Sequence, residues 1–403
     1  MPEILVIGGG PAGTFAAIAA KKQAPAARVT LLTCEHCEPY EKPPLSKAVL
    51  IGRVSPADAP IAGPGGLAGH GVELDMLAHC TGLDRRERAV VLEGGRRLSY
   101  DALVLATGST PRELRQLPIG TPRVHYLRSE ADARALKTAL AECRTLLVVG
   151  GGLIGLEVAA SAATLGIQVI VLEVAPQILA RVCDEETAAT VHAAHTRHGV
   201  DIRVGATLAA ATLEIDGRIA ARTGDGKCIV ADLVVVGTGS KPDDALAASA
   251  GLATNDGIVV DEHCRTSDPA ILAAGDCARF PGPHGPVRLE NWIHAQDQGI
   301  VAGRNAAGAN DAYVAVPSFW SEQYDLYIQG VGWPIAGSTS VRRPLADSRT
   351  LVFDVCDGRL VYAMGVNAQR ELAVARRLIE RKIPIDPAAL ADPAQSLNAM
   401  LKR

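Results

Sequence analysis

The feature that most limits what this chain can fold into is a glycine pattern that occurs twice. Near the start, the apolar run Ile4-Leu5-Val6-Ile7 gives way to Gly8-Gly9-Gly10-Pro11-Ala12-Gly13, and an Ala-rich, helix-favouring segment follows to about Gln23. The order reads as strand, tight turn, helix. Gly8, Gly10 and Gly13 stand at the spacing G-x-G-x-x-G. The first glycine allows the turn, the second lets backbone approach a pyrophosphate, and the third lets helix and strand pack closely. Free N–H groups at the helix start then face the phosphates. Taken alone, the match also fits an ordinary glycine turn. It is not alone. Leu146-Leu147-Val148-Val149-Gly150-Gly151-Gly152-Leu153-Ile154-Gly155 repeats it, with Ala159 in the place of Ala17.

A second pair of segments repeats as well. Asp101, Thr107, Gly108, Ser109 and Pro111 recur, in order and spacing, as Asp232, Thr238, Gly239, Ser240 and Pro242. Two copies of a two-part pattern imply two related dinucleotide-binding domains in one α/β chain. A length of 403 residues accommodates two or three domains, and 48% hydrophobic residues supply ample core. The net charge of −4 gives no general pull toward nucleic acid or an anionic membrane, and no tail-length charge block occurs. Leu146–Leu172 is apolar enough to suggest a membrane span, but its glycines and Glu157 favour a buried strand–helix–strand unit. The fold starts at about Glu3, which leaves no room for a signal peptide, so a cytoplasmic location is expected.

Nine cysteines in such a chain are expected to be reduced thiols. Cys34-Glu35-His36-Cys37 has a suggestive spacing but no second pair, so no metal site is expected; a redox pair stays open. The pair ends the strand Arg28–Leu32, where an acidic residue about 20 residues beyond the glycines usually accepts from ribose hydroxyls. Cys34 stands there instead, and Glu35, the next residue, either serves or is a solvated loop glutamate. In the second unit the strand Gln168–Leu172 ends at Glu173.

Elsewhere, Pro43-Pro44-Leu45-Ser46-Lys47 reads as an extended turn feeding a helix. Val90–Leu92 and Arg97–Tyr100 suggest a hairpin, and residues 201–230 a meander. Ser129 caps a helix with Asp132 at its third position, leaving Arg128 as a loop cation or a phosphate ligand. Ala270–Gly275 is a short strand that delivers Asp276, and a helix pattern runs from about Glu290 to Ala307. Tyr313, Phe319, Trp320, Tyr324, Tyr327 and Trp333 crowd one stretch; core packing explains most of them, and stacking on a planar ring would use the rest. The helix Gln369–Arg381 carries a basic run that reads first as a solvated face.

Over nearly its whole length the chain now resembles the FAD-dependent, NADH-linked ferredoxin reductases that serve bacterial cytochromes P450 and aromatic-ring dioxygenases. The carrying residues are Gly8–Gly13, Pro43–Lys47, Ala106-Thr107-Gly108, Gly150–Glu157, Gly275-Asp276, Glu290-Asn291-Trp292 and Phe319-Trp320-Ser321. Pro-Pro-Leu-Ser-Lys with Phe-Trp-Ser is specific to this group and to the mitochondrial apoptosis-inducing factors. The resemblance implies a glutathione-reductase-like α/β fold of two Rossmann-like domains plus a C-terminal α+β domain. FAD would be held by 1–110 and 243–316 and NADH by 111–242, with 317–403 as the third part.

Residue by residue, it implies that Gly8, Gly10, Pro11, Ala12, Gly13, Glu35 and Ala106–Gly108 bind FAD. Arg128 would reach its phosphates, Asp276 its ribityl chain, and Glu290 and Trp292 its ring. Gly150, Gly152, Leu153, Ile154, Gly155, Glu173 and Gly239 would bind NADH. Lys47 would lie beside the isoalloxazine, paired with Glu157, and Trp320 would face the nicotinamide; these three are the expected catalytic residues. The implied partner is a small acidic 2Fe-2S ferredoxin met by Arg304, Arg342, Arg343 and Arg370, and the implied state is a monomer or weak homodimer. Cys34 and Cys37 depart from the family pattern.

Two rival readings keep the fold. A disulfide reductase, peroxidase or NADH oxidase needs a cysteine against the flavin, near where Ser46-Lys47 stand, and no cysteine lies between Cys37 and Cys80. An NADH-sensing interaction protein like the apoptosis-inducing factors would bind rather than turn over. Glu173, followed by no cation before Arg181, favours NADH over NADPH.

Overall fold

A computed structural model describes residues 1–58, 60–346 and 349–402. Its helices are α1 (Pro11–Gln23), α2 (Glu130–Leu140), α3 (Leu153–Thr164), α4 (Glu185–Arg197), α5 (Ala245–Ser249), α6 (Trp292–Ala306), α7 (Gln369–Glu380), α8 (Pro387–Ala391) and α9 (Leu397–Met400). Packing separates two compact units. Met1–Lys42, Ser55–Thr110 and Ser240–Ala315 make the first; Pro43–Val54, Pro111–Gly239 and the chain from Val316 onward make the second.

In the first unit the motif strand Glu3–Ile7 is the middle of a five-stranded parallel sheet. The order is Ile271–Ala273, Ala102–Leu105, Glu3–Ile7, Arg28–Leu32, Glu73–Asp75. The central runs are apolar along their whole length because a parallel sheet is covered on both faces. Ile4, Val6, Leu31, Val104 and Leu272 accordingly sit in one core. The second unit repeats the plan around Thr145–Val149, in the order Asp201–Arg203, Gln168–Leu172, Thr145–Val149, Leu233–Val236, Val124–Tyr126. Each unit also inserts a three-stranded antiparallel meander, Cys80–Asp84, Ala89–Leu92 and Arg97–Ser99 in one and Leu208–Leu213, Ile219–Thr223 and Cys228–Ala231 in the other.

The repeated aspartates have a structural job. The Asp101 carboxylate accepts from the Glu3 N–H at 2.8 Å, and the Asp232 carboxylate accepts from the N–H groups of Arg144 and Thr145 at 2.9 and 2.8 Å. Each pins the start of its motif strand to the strand beside it. Ser129 and Asp132 form the reciprocal capping box that their spacing predicts at the start of α2.

The Pro43–Lys47 pattern predicts an extended turn feeding a helix, and the structure differs in where the helical turn falls and how long it is. Pro43–Ser46 is a single 3₁₀ turn, followed by further turns to Gly52, which takes φ = +75°. Pro44 has no N–H to give, and the Lys47 N–H closes on the Pro44 carbonyl at 3.0 Å, the tighter spacing. Leu50, 2% exposed, then anchors the segment in the core of the second unit with Leu136, Leu146 and Leu156.

The C-terminal part is a five-stranded antiparallel sheet, Ser318–Gln323, Leu326–Gly332, Arg359–Val366, Thr350–Cys356, Thr339–Arg342 in order, with α7 packed on it. Leu326, Ile328, Met364 and Val366 of this sheet share the core of the second nucleotide-type sheet. Among the described residues no helix is long and apolar enough to cross a membrane.

In the first unit α1 and α6 lie unusually close because α6 presents glycines to α1. A Cβ on Gly303 would lie 2.7 Å from the Ala16 Cα, and one on Gly299 would lie 2.9 Å from that of Ala12. Backbone cannot yield as a flexible side chain does. Gly303→Val is expected to destabilise the first unit by about 1–3 kcal/mol, the usual penalty of overpacking. A thermal melt should show a lower midpoint, and an unchanged midpoint would refute the close packing.

Candidate functional site

The glycines of the two motifs fall into two kinds. Gly8 and Gly150 have φ of +118° and +111°, and a Cβ on either would overlap the carbonyl oxygen of Ala106 or Gly237. Gly13 and Gly155 press on the carbonyls of Gly8 and Gly150. The fold itself therefore demands glycine at the first and third positions. Gly10 and Gly152 differ: φ is −79° and −83°, and no protein atom lies within 4 Å of where a Cβ would sit. Nothing in the protein needs glycine there, and the free space suits a group from outside.

Both helices also begin without a side-chain cap. α1 starts from Gly10 and α3 from Gly152, whereas Ser129, Asp184 and Asn291 cap α2, α4 and α6 with side-chain oxygens. At α1, Pro11 supplies no N–H, so Ala12 and Gly13 carry the free first-turn donors; at α3, Leu153, Ile154 and Gly155 do. Uncapped donors, positive dipole ends and open space at the middle glycine fit the pyrophosphate of a dinucleotide in each unit.

The residues that end the second strands behave differently. The Glu173 carboxylate accepts from the Gly151 N–H at 2.6 Å and from the Ala175 N–H at 2.8 Å. It is thereby fixed to the glycine loop, with lone pairs remaining on both oxygens. Glu35 instead accepts from the Tyr40 hydroxyl at 2.6 Å and pairs with Lys42 at 3.0 Å. Cys34 is exposed and Cys37 half-buried, and no cluster of His, Cys, Asp or Glu among the described residues is arranged to hold a metal.

Other expected residues of the first unit sit around the sheet's carboxyl ends. Gly108 takes φ = +76°. Asp276 follows the strand Ile271–Ala273 and accepts from the Ser109 hydroxyl at 2.9 Å. Glu290 pairs with Arg288 at 2.6 Å. Trp292 opens α6 with its ring edge-on to Phe15. In the second unit Gly239 takes φ = +109°, and the Arg128 N–H donates to the Asp132 carboxylate at 3.1 Å.

The most concentrated chemistry of the second unit lies on α3. Glu157 is 6% exposed. One oxygen accepts from the Ser321 hydroxyl at 2.6 Å and lies 3.1 Å from Lys47 Nζ; the other accepts from the Ser46 hydroxyl. Ser161, one turn along α3, donates to the Ser46 carbonyl at 2.8 Å and fixes the 3₁₀ turn. A buried carboxylate is costly unless paired and hydrogen-bonded, and here it is both. The structure thus brings the expected Lys47 and Glu157 together. Sequence reasoning missed Ser46 and Ser321, although each stands inside a motif, Pro-Pro-Leu-Ser-Lys and Phe-Trp-Ser. Trp320 is adjacent to Ser321 on one strand, so the two side chains leave opposite faces.

The expected basic rim needs correction. Arg343 is 6% exposed and donates to the carbonyls of Leu390, Asp392, Pro393 and Gln395. It is an internal anchor, not a docking residue. Arg342 pairs with Asp184 and Glu186, and Arg304 with Asp311, which reduces their free charge; Arg370 is exposed.

The two uncapped glycine-motif helix starts fit dinucleotides, and comparison with known proteins makes the class a pyridine-nucleotide-dependent oxidoreductase. Residues 2–299 match the family model described as pyridine nucleotide-disulphide oxidoreductase, and residues 318–401 match the one described as reductase C-terminal. The chain is 37% identical over 408 residues to rhodocoxin reductase of Rhodococcus erythropolis, covering 100% of this chain and 95% of that one. It is 36% identical to the ferredoxin–NAD(+) reductase component of the p-cumate 2,3-dioxygenase system of Pseudomonas putida, covering 98% of each. The crystal structure of the covalent putidaredoxin reductase–putidaredoxin complex matches with a TM-score of 0.93 at 32% identity, covering 100% of this chain and 98% of that one. The chain belongs to the pyridine nucleotide-disulphide oxidoreductase family.

The two kinds of glycine separate by mutation. Gly10→Ala and Gly152→Ala are expected to lower the melting midpoint only slightly, through a loss of about 1 kcal/mol of N-cap preference, since no clash or positive φ opposes the methyl group. They should weaken FAD retention and NADH binding respectively. Gly150→Ala should lower the midpoint first, because of its positive φ. FAD content, NADH titration and melts on the three variants test this; a Gly152→Ala variant that binds NADH normally would overturn the distinction.

Proposed function

We propose that this protein is the flavoprotein reductase of an oxygenase system, passing electrons from NADH through FAD to a 2Fe-2S ferredoxin. The observation that carries the reading is the buried Glu157 holding Ser46 and Lys47, where the disulfide-reducing and oxidase branches of this fold would need a redox cysteine. FAD, when bound, converts a two-electron oxidation into single-electron deliveries. The chain's own contributions are binding, orientation and charge.

In this reading Gly10, Ala12 and Gly13 hold the FAD pyrophosphate, and Gly152, Leu153, Ile154 and Gly155 that of NADH. Thr107, Asp276, Glu290 and Trp292 complete the FAD contacts, and Arg128 meets its phosphates. Lys47 supplies positive charge to the flavin as electrons arrive, and Glu157 keeps the ammonium in place. Trp320 covers the nicotinamide. The division into FAD-binding 1–110 and 243–316, NADH-binding 111–242 and C-terminal 317–403 parts belongs to the same reading. So do a cytoplasmic location, a monomer or weak homodimer, and an acidic ferredoxin whose approach is steered by Arg370 and Arg377, the exposed cations of α7.

Anaerobic stopped-flow spectroscopy tests the proposal. NADH should bleach the flavin, and a 2Fe-2S ferredoxin should restore its absorbance rapidly, faster at low salt than at high. A long-lived reduced complex indifferent to every ferredoxin tried would favour the NADH-sensing rival. Loss of NADH–ferricyanide activity in step with alkylation of Cys34 or Cys37 would favour the thiol-dependent one.

Glu173, already fixed by two backbone donors, accepts the adenosine ribose hydroxyls and repels a 2′-phosphate. NADH should be preferred at least about tenfold in kcat/KM, or ~1.4 kcal/mol. Glu173→Ala should erode that preference mainly by weakening NADH. Equal wild-type values for the two nucleotides would remove Glu173 from the site.

A further inference from the structure

Beyond Glu157 a buried polar chain continues that none of the roles above uses. Ser321 Oγ, which donates to Glu157, accepts from the Gln323 side-chain amide at 3.0 Å. Gln323 Oε1 lies 2.8 Å from His195 Nε2, and His195 Nδ1 lies 3.4 Å from the Tyr324 hydroxyl. Gln323 and His195 are 1% and 0% exposed. The chain spans α3, the strand Ser318–Gln323 and α4, all within the second unit.

The direction of every proton in this chain follows from one end. A carboxylate only accepts, so the single Ser321 proton goes to Glu157. Ser321 must then accept, and only the Gln323 NH₂ can give. This turns the Gln323 carbonyl toward His195, which must carry its proton on Nε2. Nδ1 is left bare, facing the Tyr324 O–H. Every link of the chain then joins a donor to an acceptor with the imidazole neutral. Burial supports that state, pushing His195 down to about 4. Tyr324, at φ = +58°, is locked in turn by stacking on His198 at 3.7 Å.

We propose that Gln323 is a positioning residue: held by His195, it aims the Ser321 hydroxyl at Glu157 and so fixes where Glu157 places the Lys47 ammonium. Ser46 grips one carboxylate oxygen from its own turn, and Gln323 controls the grip on the other. Without it, Ser321 is free to rotate, and the carboxylate oxygen that faces Lys47 is held by that ammonium alone. The inference deepens the role given to Lys47 in electron transfer and rests on that role for its kinetic consequence, but not for its geometry.

Gln323→Met keeps the length of the side chain and removes both hydrogen bonds. A crystal structure of the FAD-loaded variant should show Glu157 turned off Ser321 and its pairing with Lys47 opened; an unmoved pair overturns the proposal. In anaerobic stopped flow the limiting rate of flavin reduction should fall about fivefold, one ordinary hydrogen bond's worth. The NADH dissociation constant should stay within about twofold, because nothing in the nucleotide site moves. The same substitution in a Lys47→Met background should cause no further loss. An equal loss in that background means Gln323 matters only structurally, and overturns the proposal. Ser321→Ala cuts the chain one link nearer Glu157 and gives the same test if Gln323→Met does not accumulate. If Lys47→Met alone leaves both rate and flavin potential untouched, the electron-transfer role of Lys47 fails, and the crystal structure still decides the positioning.

Discussion

Close approach of a helix start to a strand end is the constraint on which both units depend. A helix can leave the end of a parallel strand and still lie on the sheet only if the first turn touches backbone directly. Gly13 and Gly155 meet that requirement by resting on the carbonyls of Gly8 and Gly150. With the helix drawn in, its first-turn donors point past the middle glycine into space that the protein leaves free. The binding capacity of each unit thus follows from a packing necessity. The place proposed for the phosphates is where the fold has donors it does not cap itself.

The second constraint is electrostatic. Glu157 lies on the helix that starts at the second glycine motif, and burial of its charge forces other elements to come to it. The turn Pro43–Ser46 brings a hydroxyl, Lys47 a cation, and the strand Ser318–Gln323 a second hydroxyl. A single carboxylate therefore ties together segments far apart in sequence. Removing any one partner would leave it underpaired in a low-dielectric place, which is more damaging than the loss of an ordinary contact. The same logic extends order outward, since a charge that can only accept dictates the polarity of each group behind it.

Much of this was legible in the sequence, for a physical reason in each case. Positive-φ glycines, uncapped helix starts and apolar runs leave local signatures, so the two parallel sheets and the helices that follow them could be read directly. The Ser129–Asp132 cap was equally local. The repeat at Asp101 and Asp232 was visible but its meaning was not, because a side chain that pins a strand start does so across the sheet. The helix expected after Pro43 failed because tertiary anchoring of Leu50 and a proline without a donor favoured tighter turns. Arg343 was read as a surface cation because nothing local distinguishes a buried arginine from an exposed one. Ser46, Ser321, Gln323 and His195 were missed for a like reason: polar satisfaction is decided by partners a hundred or more residues away.

Arg343 carries one more consequence. All of its contacts in the C-terminal segment are to main-chain carbonyls, those of Leu390, Asp392, Pro393 and Gln395. Every amino acid offers the same carbonyl, so Arg343 recognises the path of the segment and not its side chains. Natural variation should run freely through Asp392, Pro393 and Gln395, though not through the buried Leu390, while the arginine stays and the spacing between them is kept. Insertions and deletions would be excluded where substitutions are tolerated. A stretch that looks like an appendage in sequence is therefore held to a fixed spacing by a residue that never reads its identity.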